Sequence, residues 1–353
     1  MTPIFRSTLS AILIAAAAGA MAAEPTPPGY HVIKKIAPGG EGGWDYLTLD
    51  PVARRLYIAR SDRVMLFDVD KAALIGEIPN TPGVHGVAIM PKLGRGFTSN
   101  GGDSTVTVFD LKTLKELARI NVGKRPDGIL YDMESGRIFT FNALSADATV
   151  IQPGEEKVMG TIPLGGKPES AVADGNGHIY VNIEDKSELL ELDTRKLSVL
   201  HRWPLAPGEQ PAGLAMDPIR RRLFCTCRNE KMVVLNADNG QVLATLPIGQ
   251  RTDACAFDPG TQLAFSSNGD GTLTVVRTDA QDHYAVAETV STQIGARTMA
   301  LDPTTHNLFL VTALARQGEK HSFEPGSFVI IVVARPSEPG KPGGLPPAIP
   351  GIK

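Results

Sequence analysis

Six side chains able to bind ions or move protons recur along this 353-residue chain at intervals of roughly 42 residues. They are Asp45, His85, Asp127, Glu169, Asp253 and Arg297, and Ala212 occupies the remaining place in the series. Four carboxylates and one imidazole brought to one place could hold a divalent cation. Oxygen donors favour Ca²⁺ or Mg²⁺, and the imidazole admits Zn²⁺. Within the set, His85, Asp127, Glu169 and Asp253 form the candidate metal ligands. The same groups could work as general acid and base, because crowded carboxylates push one another's pKa values apart. They could also simply line a water-filled opening.

What could bring residues so far apart together is the period itself. Each lies five residues ahead of an Asp or its equivalent, at Asp50, Met90, Asp132, Asp174, Asp217, Asp258 and Asp302. An aromatic follows about seven residues later, as Tyr57, Phe97, Phe139, Tyr180, Phe224, Phe265 and Phe309. Between these marks lie short apolar and β-branched runs such as 105–109, 232–235 and 273–276, separated by turns such as Asp238-Asn239-Gly240. Four strands per period and seven periods predict an all-β chain folded as a seven-bladed β-propeller. Blades are expected to start near residues 44, 84, 126, 168, 211, 252 and 297. The last period lacks a fourth strand, and residues 31–36 ahead of the first supply one. Their pairing would close the ring and remove its free edges.

In such a ring the connections into the first strands and the loops after the second strands share one face. The spaced residues then surround the mouth of the axial channel. The second set of loops adds Arg60, Ser99, Asn100, Asn142, Asn182, Arg228, Asn229 and Asn268. Of these, Asn100, Asn142, Arg228 and Asn268 join the candidate ligand-binding residues. Asn at such places also serves plain turn geometry. Trp44 and Tyr46, an aromatic pair flanking Asp45, could stack on a ring-shaped ligand or pack the seam where the ring closes. Residues 313–327 interrupt the last blade on this face and carry Glu319, Lys320, His321 and Glu324, as a lid or as an open excursion.

Three flanking features bound the function. Arg6, the apolar run 9–18 and the small residues 20–23 read as a secretion signal over residues 1–23, so a periplasmic or secreted protein is expected. Residues 335–353 form a Pro/Gly-rich tail. The formal net charge of −3, without a basic stripe, argues against electrostatic nucleic-acid binding. Cys225 and Cys227 point to one sheet face, where they pair poorly. A bridge from Cys255 to either competes with three buried free thiols.

With Gly123-Lys124-Arg125-Pro126-Asp127, Gly165-Gly166-Lys167-Pro168 and Gly249-Gln250-Arg251-Thr252-Asp253 leading into first strands, residues 30–334 resemble the YVTN-type β-propeller repeats of exported YncE-like proteins. The tetrapeptide itself survives only in forms such as Tyr180-Val181-Asn182. The resemblance implies fold and export and leaves activity open. Cys-x-x-Cys-His, a Gly-rich phosphate loop and Gly-x-Ser-x-Gly are all missing from the sequence. Two functions follow as expectations. One is a non-catalytic propeller binding a small molecule, metal or protein partner on the channel face. The other is a metal-dependent hydrolase or lyase using the ring, with His85 as base or ligand.

Overall fold

The computed structural model describes residues 28–316, 318 and 322–336. The expected signal, most of the tail, and Glu319, Lys320 and His321 lie outside the described residues. Within them are seven four-stranded antiparallel sheets. The inner strands are Leu47–Asp50, Val84–Met90, Pro126–Asp132, Pro168–Ala173, Pro211–Asp217, Thr252–Asp258 and Thr298–Leu301. The chain is a seven-bladed β-propeller. In the last blade the outermost strand is His31–Ile36, which pairs antiparallel with Val329–Ala334, His31 opposite Ala334 and Ile36 opposite Ile330.

The periodic aromatics explain why the blades stack. Tyr57, Phe97, Phe139, Tyr180, Phe224 and Phe265 are all buried to within 1 % of full burial. They fill apolar layers, such as the cluster joining Phe139 and Phe141 to Ile179 and Val181 of the next blade. Such layers supply the main association energy between sheets.

The recurring Asp at or just past the end of six of the seven inner strands caps its own turn. Asp50 Oδ1 accepts from the amides of Val52 and Ala53, and Asp217 Oδ1 from those of Ile219 and Arg220. Several of these carboxylates also tie one blade to its neighbour. Arg54 meets Asp302 across the ring closure at 2.7 Å, and His306 meets Asp258 at 2.7 Å. This face is therefore fixed by capping and ion pairs, while the opposite ends of the inner strands stay open for other chemistry. Cys225, Cys227 and Cys255 are all free, so no bridge forms from Cys255. Burial pushes their thiols up, which leaves them as small core residues.

Candidate functional site at the channel mouth

Each inner strand begins within two residues of one of the spaced positions, and several carbonyls there are held from the preceding blade. Ser99 Oγ donates to the Asp127 carbonyl, Asn182 Nδ2 to that of Ala212 at 3.1 Å, and Ser267 Oγ to that of Arg297. The Tyr46 amide donates to the His85 carbonyl at 3.1 Å. The mouth is thus built by hydrogen bonds between blades, and each functional side chain is positioned by a neighbour.

Close approach of the inner strands demands small residues one place further along. There the chain has Gly86, Gly128, Ser170, Gly213, Ala254 and Thr298. A methyl added at Gly128 would lie 2.7 Å from the Glu169 carbonyl oxygen. In the first blade this place belongs to Tyr46, the single bulky member of the column. Below it lies a cavity of about 160 Å³ lined by Tyr46, Thr48, Val87, Ile129 and Ala171 among others. Tyr46 therefore forms the floor of the mouth.

The ionisable groups divide into two clusters. On one side, His85 Nδ1 lies 2.5 Å from Asp45 Oδ2 and 3.6 Å from Asp127 Oδ1. One donor atom from each of the three residues falls within 4.8 Å of the others. The ring edge bearing Nε2 packs on Gly101, where a methyl would come within 2.8 Å of it. On the other side, Arg297 Nε donates to Asp253 Oδ2 at 2.7 Å. Arg228 Nε donates to Glu184 at 2.8 Å and its Nη2 reaches Glu169 at 3.4 Å and Asp253 at 3.5 Å. Lys167 pairs with Glu184 and lies 3.4 Å from Glu169. Arg228 thus covers the gap left by Ala212 in its own blade.

The clusters perturb one another. Burial alone would lower the His85 imidazole, but its hydrogen bond to Asp45 and the charges of Asp127 and Asp45 outweigh that and raise it to about 9. Burial, then the Asp127 charge, raises Glu169 to about 8, against the pull of Lys167. Burial also raises Asp127, to about 6, and Asp253. The Tyr46 phenol is pushed well up by burial and by Glu169, Asp127, Asp253 and Asp45, which places it among all four carboxylates. These shifts favour the protonated imidazole at His85, the protonated carboxyl at Glu169 and the neutral phenol at Tyr46 toward neutral pH.

Asp45, His85, Asp127, Glu169, Arg228, Asp253 and Arg297 come together here. Asn100, Asn142 and Asn268 do not, which corrects their expected role. All three are fully buried. Asn100 Nδ2 donates to Thr105 and Thr107 while its Oδ1 accepts from Thr98. Asn268 repeats the pattern with Thr272, Thr274 and Ser266, and Asn142 with Asp147, Thr149 and Thr140. They lock adjacent strands inside each blade and present no free group to a ligand.

Trp44 is 7 % exposed and packs on Phe323 and Phe328, with ring centroids 4.7 and 6.2 Å away, while Arg297 sits 5.6 Å from its ring. It joins the mouth to the interrupted last blade. A cavity of about 210 Å³ separates Gly40–Gly42 from Arg316, Phe323 and Glu324 of that interruption.

Arg60 is fully buried and forms no ion pair among the described residues. Its Nε and Nη2 donate to the carbonyls of Gly43, Glu41 and Gly42 at 2.9, 2.9 and 3.1 Å, and the guanidinium lies 3.6 Å from the Phe328 ring centroid. The position of Tyr46 at the floor and the fixing role of Arg60 were not foreseen. Aligning the column that contains Gly86 and Gly128 would have exposed Tyr46.

No sequence-family model and no curated protein matches the chain. Solved structures do. A structure titled Kuenenia stuttgartiensis Hydrazine Synthase is 14 % identical with a TM-score of 0.68, covering 76 % of this chain and 92 % of that one. A chain of the structure titled Crystal Structure of Mitotic Checkpoint Complex is 13 % identical with a TM-score of 0.72, covering 93 % and 99 %. At such identity the likeness concerns the fold alone, a scaffold suited to binding ligands or proteins. No helix among the described residues is long and apolar enough to cross a membrane.

Proposed function

We propose that this protein is an exported, non-catalytic β-propeller of the YVTN-type, YncE-like kind, and that it binds a small polar ligand or ion at the channel mouth. The observation that carries this reading is the convergence of Asp45, His85, Asp127, Glu169 and Asp253 from five blades above the floor made by Tyr46. Buried ionisable groups cost stability unless a partner offsets them, so their concentration at one solvent-facing opening supports a binding role. A periplasmic or secreted location agrees with the sequence of residues 1–23.

Mass analysis of what accompanies the purified protein, with a thermal-shift screen of ions and small polar molecules, tests the reading. A ligand that raises the melting temperature of wild type more than that of Glu169→Gln or Asp253→Asn supports it. Equal shifts in wild type and both variants for every stabilising compound overturn it.

A second reading, a metal-dependent hydrolase or lyase, draws on Glu169. A carboxyl kept neutral near pH 7 can donate a proton to a leaving group. Turnover of ester, lactone or glycoside substrates that Glu169→Gln abolishes would favour it over simple binding.

A further inference from the structure

We propose that Asp45, His85 and Asp127 form a mononuclear site for a divalent first-row transition ion, held through His85 Nδ1 and one oxygen of each carboxylate. The inference rests on the mouth being the binding site and names its occupant.

Two independent observations carry it. The first is convergence, with one donor atom from each residue inside 4.8 Å of the other two. Metal–ligand bonds of 2.0–2.2 Å in a tetrahedral site place donor atoms about 3.3–3.6 Å apart. The 3.6 Å between His85 and Asp127 already fits, and the 2.5 Å between His85 and Asp45 must open by about 1 Å. That pair now shares a proton where the ion would stand. The second observation is Asp127 itself. The residue is only 7 % exposed, and its carboxylate accepts no hydrogen bond among the described residues. A largely buried carboxylate that takes no hydrogen-bond donor from the described residues and lies 3.6 Å from His85 Nδ1 is arranged to take a cation.

The donor set also indicates which ion. Ca²⁺ takes six to eight oxygens and Mg²⁺ keeps near-octahedral oxygen coordination. One imidazole with two carboxylates instead suits Zn²⁺, Mn²⁺ or Co²⁺. Three protein ligands leave at least one position for water or a small ligand. Gly101 gives the site its outer support, because only a residue without a side chain lets the His85 ring lie where Nδ1 faces the carboxylates.

The test uses the full chain, stripped with a chelator, and titrates ZnCl₂, MnCl₂, CaCl₂ and MgCl₂ separately against a chromogenic competitor. Zn²⁺ or Mn²⁺ is expected to bind one per chain and more tightly than Ca²⁺ or Mg²⁺. Removing an outer-shell partner alone costs 10–100-fold in affinity, so His85→Ala and Asp127→Asn should each cost about 100-fold or more. His283→Ala, an exposed histidine far from the mouth, should bind as wild type does. Visible absorption of the Co²⁺ form supplies a second readout, lost with His85→Ala. If either variant fails to fold, the near-isosteric Asp45→Asn takes its place. Stoichiometric binding unchanged in the variants, or the lack of a one-per-chain site for any of the four ions, overturns the proposal. If it fails while the small-molecule screen still yields a ligand sensitive to Glu169→Gln, only the metal is wrong and the mouth remains the binding site.

Discussion

The Arg60 guanidinium lies 3.6 Å from the centroid of the Phe328 ring, a buried cation that stacks on an aromatic and whose only oxygen acceptors among the described residues are backbone carbonyls. Those carbonyls belong to Gly40, Glu41, Gly42 and Gly43, the residues that deliver Trp44, Asp45 and Tyr46 to the mouth. Phe328 belongs to the last blade and Arg60 to the first, so one side chain ties the ring closure to the candidate site.

Replacing Arg60 by Met should therefore destabilise the fold by about 2–4 kcal/mol, the range expected when several charge-assisted bonds and a desolvated stacking contact are lost together. Urea unfolding monitored by tryptophan fluorescence measures it. Arg60→Lys should recover only part of the loss, since a single ammonium cannot reach the same carbonyls in one plane.

Stability of chelator-treated protein should fall as pH rises from about 5 to 9. Glu169 is raised in the fold from an ordinary 4.5 to about 8, so the folded state holds its proton more tightly. That stabilisation is complete below 4.5 and is lost as pH rises through 8. His85 is raised from 6.5 to about 9, so its contribution is complete below 6.5 and is lost as pH rises through 9. Between 6.5 and 8 both act, each contributing a slope of up to about 1.4 kcal/mol per pH unit. Thermal melts across this range should flatten in Glu169→Gln and again in the double variant with His85→Gln. A profile that rises with pH would contradict the assignment.

Gly128→Ala should cost more than Gly86→Ala. The new methyl meets the Glu169 carbonyl at 2.7 Å in the first case, against backbone that cannot yield. In the second it meets the end of the Ile129 side chain at 3.0 Å, which can turn aside. Overpacking of this kind costs about 1–3 kcal/mol, and denaturant midpoints should separate the two variants in that order.

Asn100→Ala and Ser99→Ala divide structural from site roles. Loss of the Asn100 amide leaves Thr105 and Thr107 without its donors and should lower stability by about 1–3 kcal/mol, with ligand affinity at the mouth unchanged. Loss of Ser99 frees the Asp127 carbonyl and the Gly86 amide. It should weaken ion binding as well, measured by the same competition titration.

The fold was legible because a strict period forces homologous positions onto homologous places in space, and Asp45, His85, Asp127, Glu169 and Asp253 follow directly from it. The asparagines misled because a loop position fixes a backbone location without fixing side-chain direction. Asn100 ends its strand pointing at the Thr residues of the next one. Tyr46 was masked by its neighbour Trp44, which made the two look like an aromatic pair although their side chains lead to different places. Arg228 was visible as a mouth residue, but its role in filling the gap at Ala212 depends on how far a long side chain reaches, which spacing does not encode.

The seam of the ring has a mechanical side. His31 enters the last sheet directly opposite Ala334, where that sheet ends. Tension applied through these two points would load the His31–Ala334 pair first and part the hydrogen bonds one after another toward Ile36, as a zip opens. Strands pulled in shear break their bonds all at once and resist far more. A ring closed in this manner yields to a modest pull on its two ends.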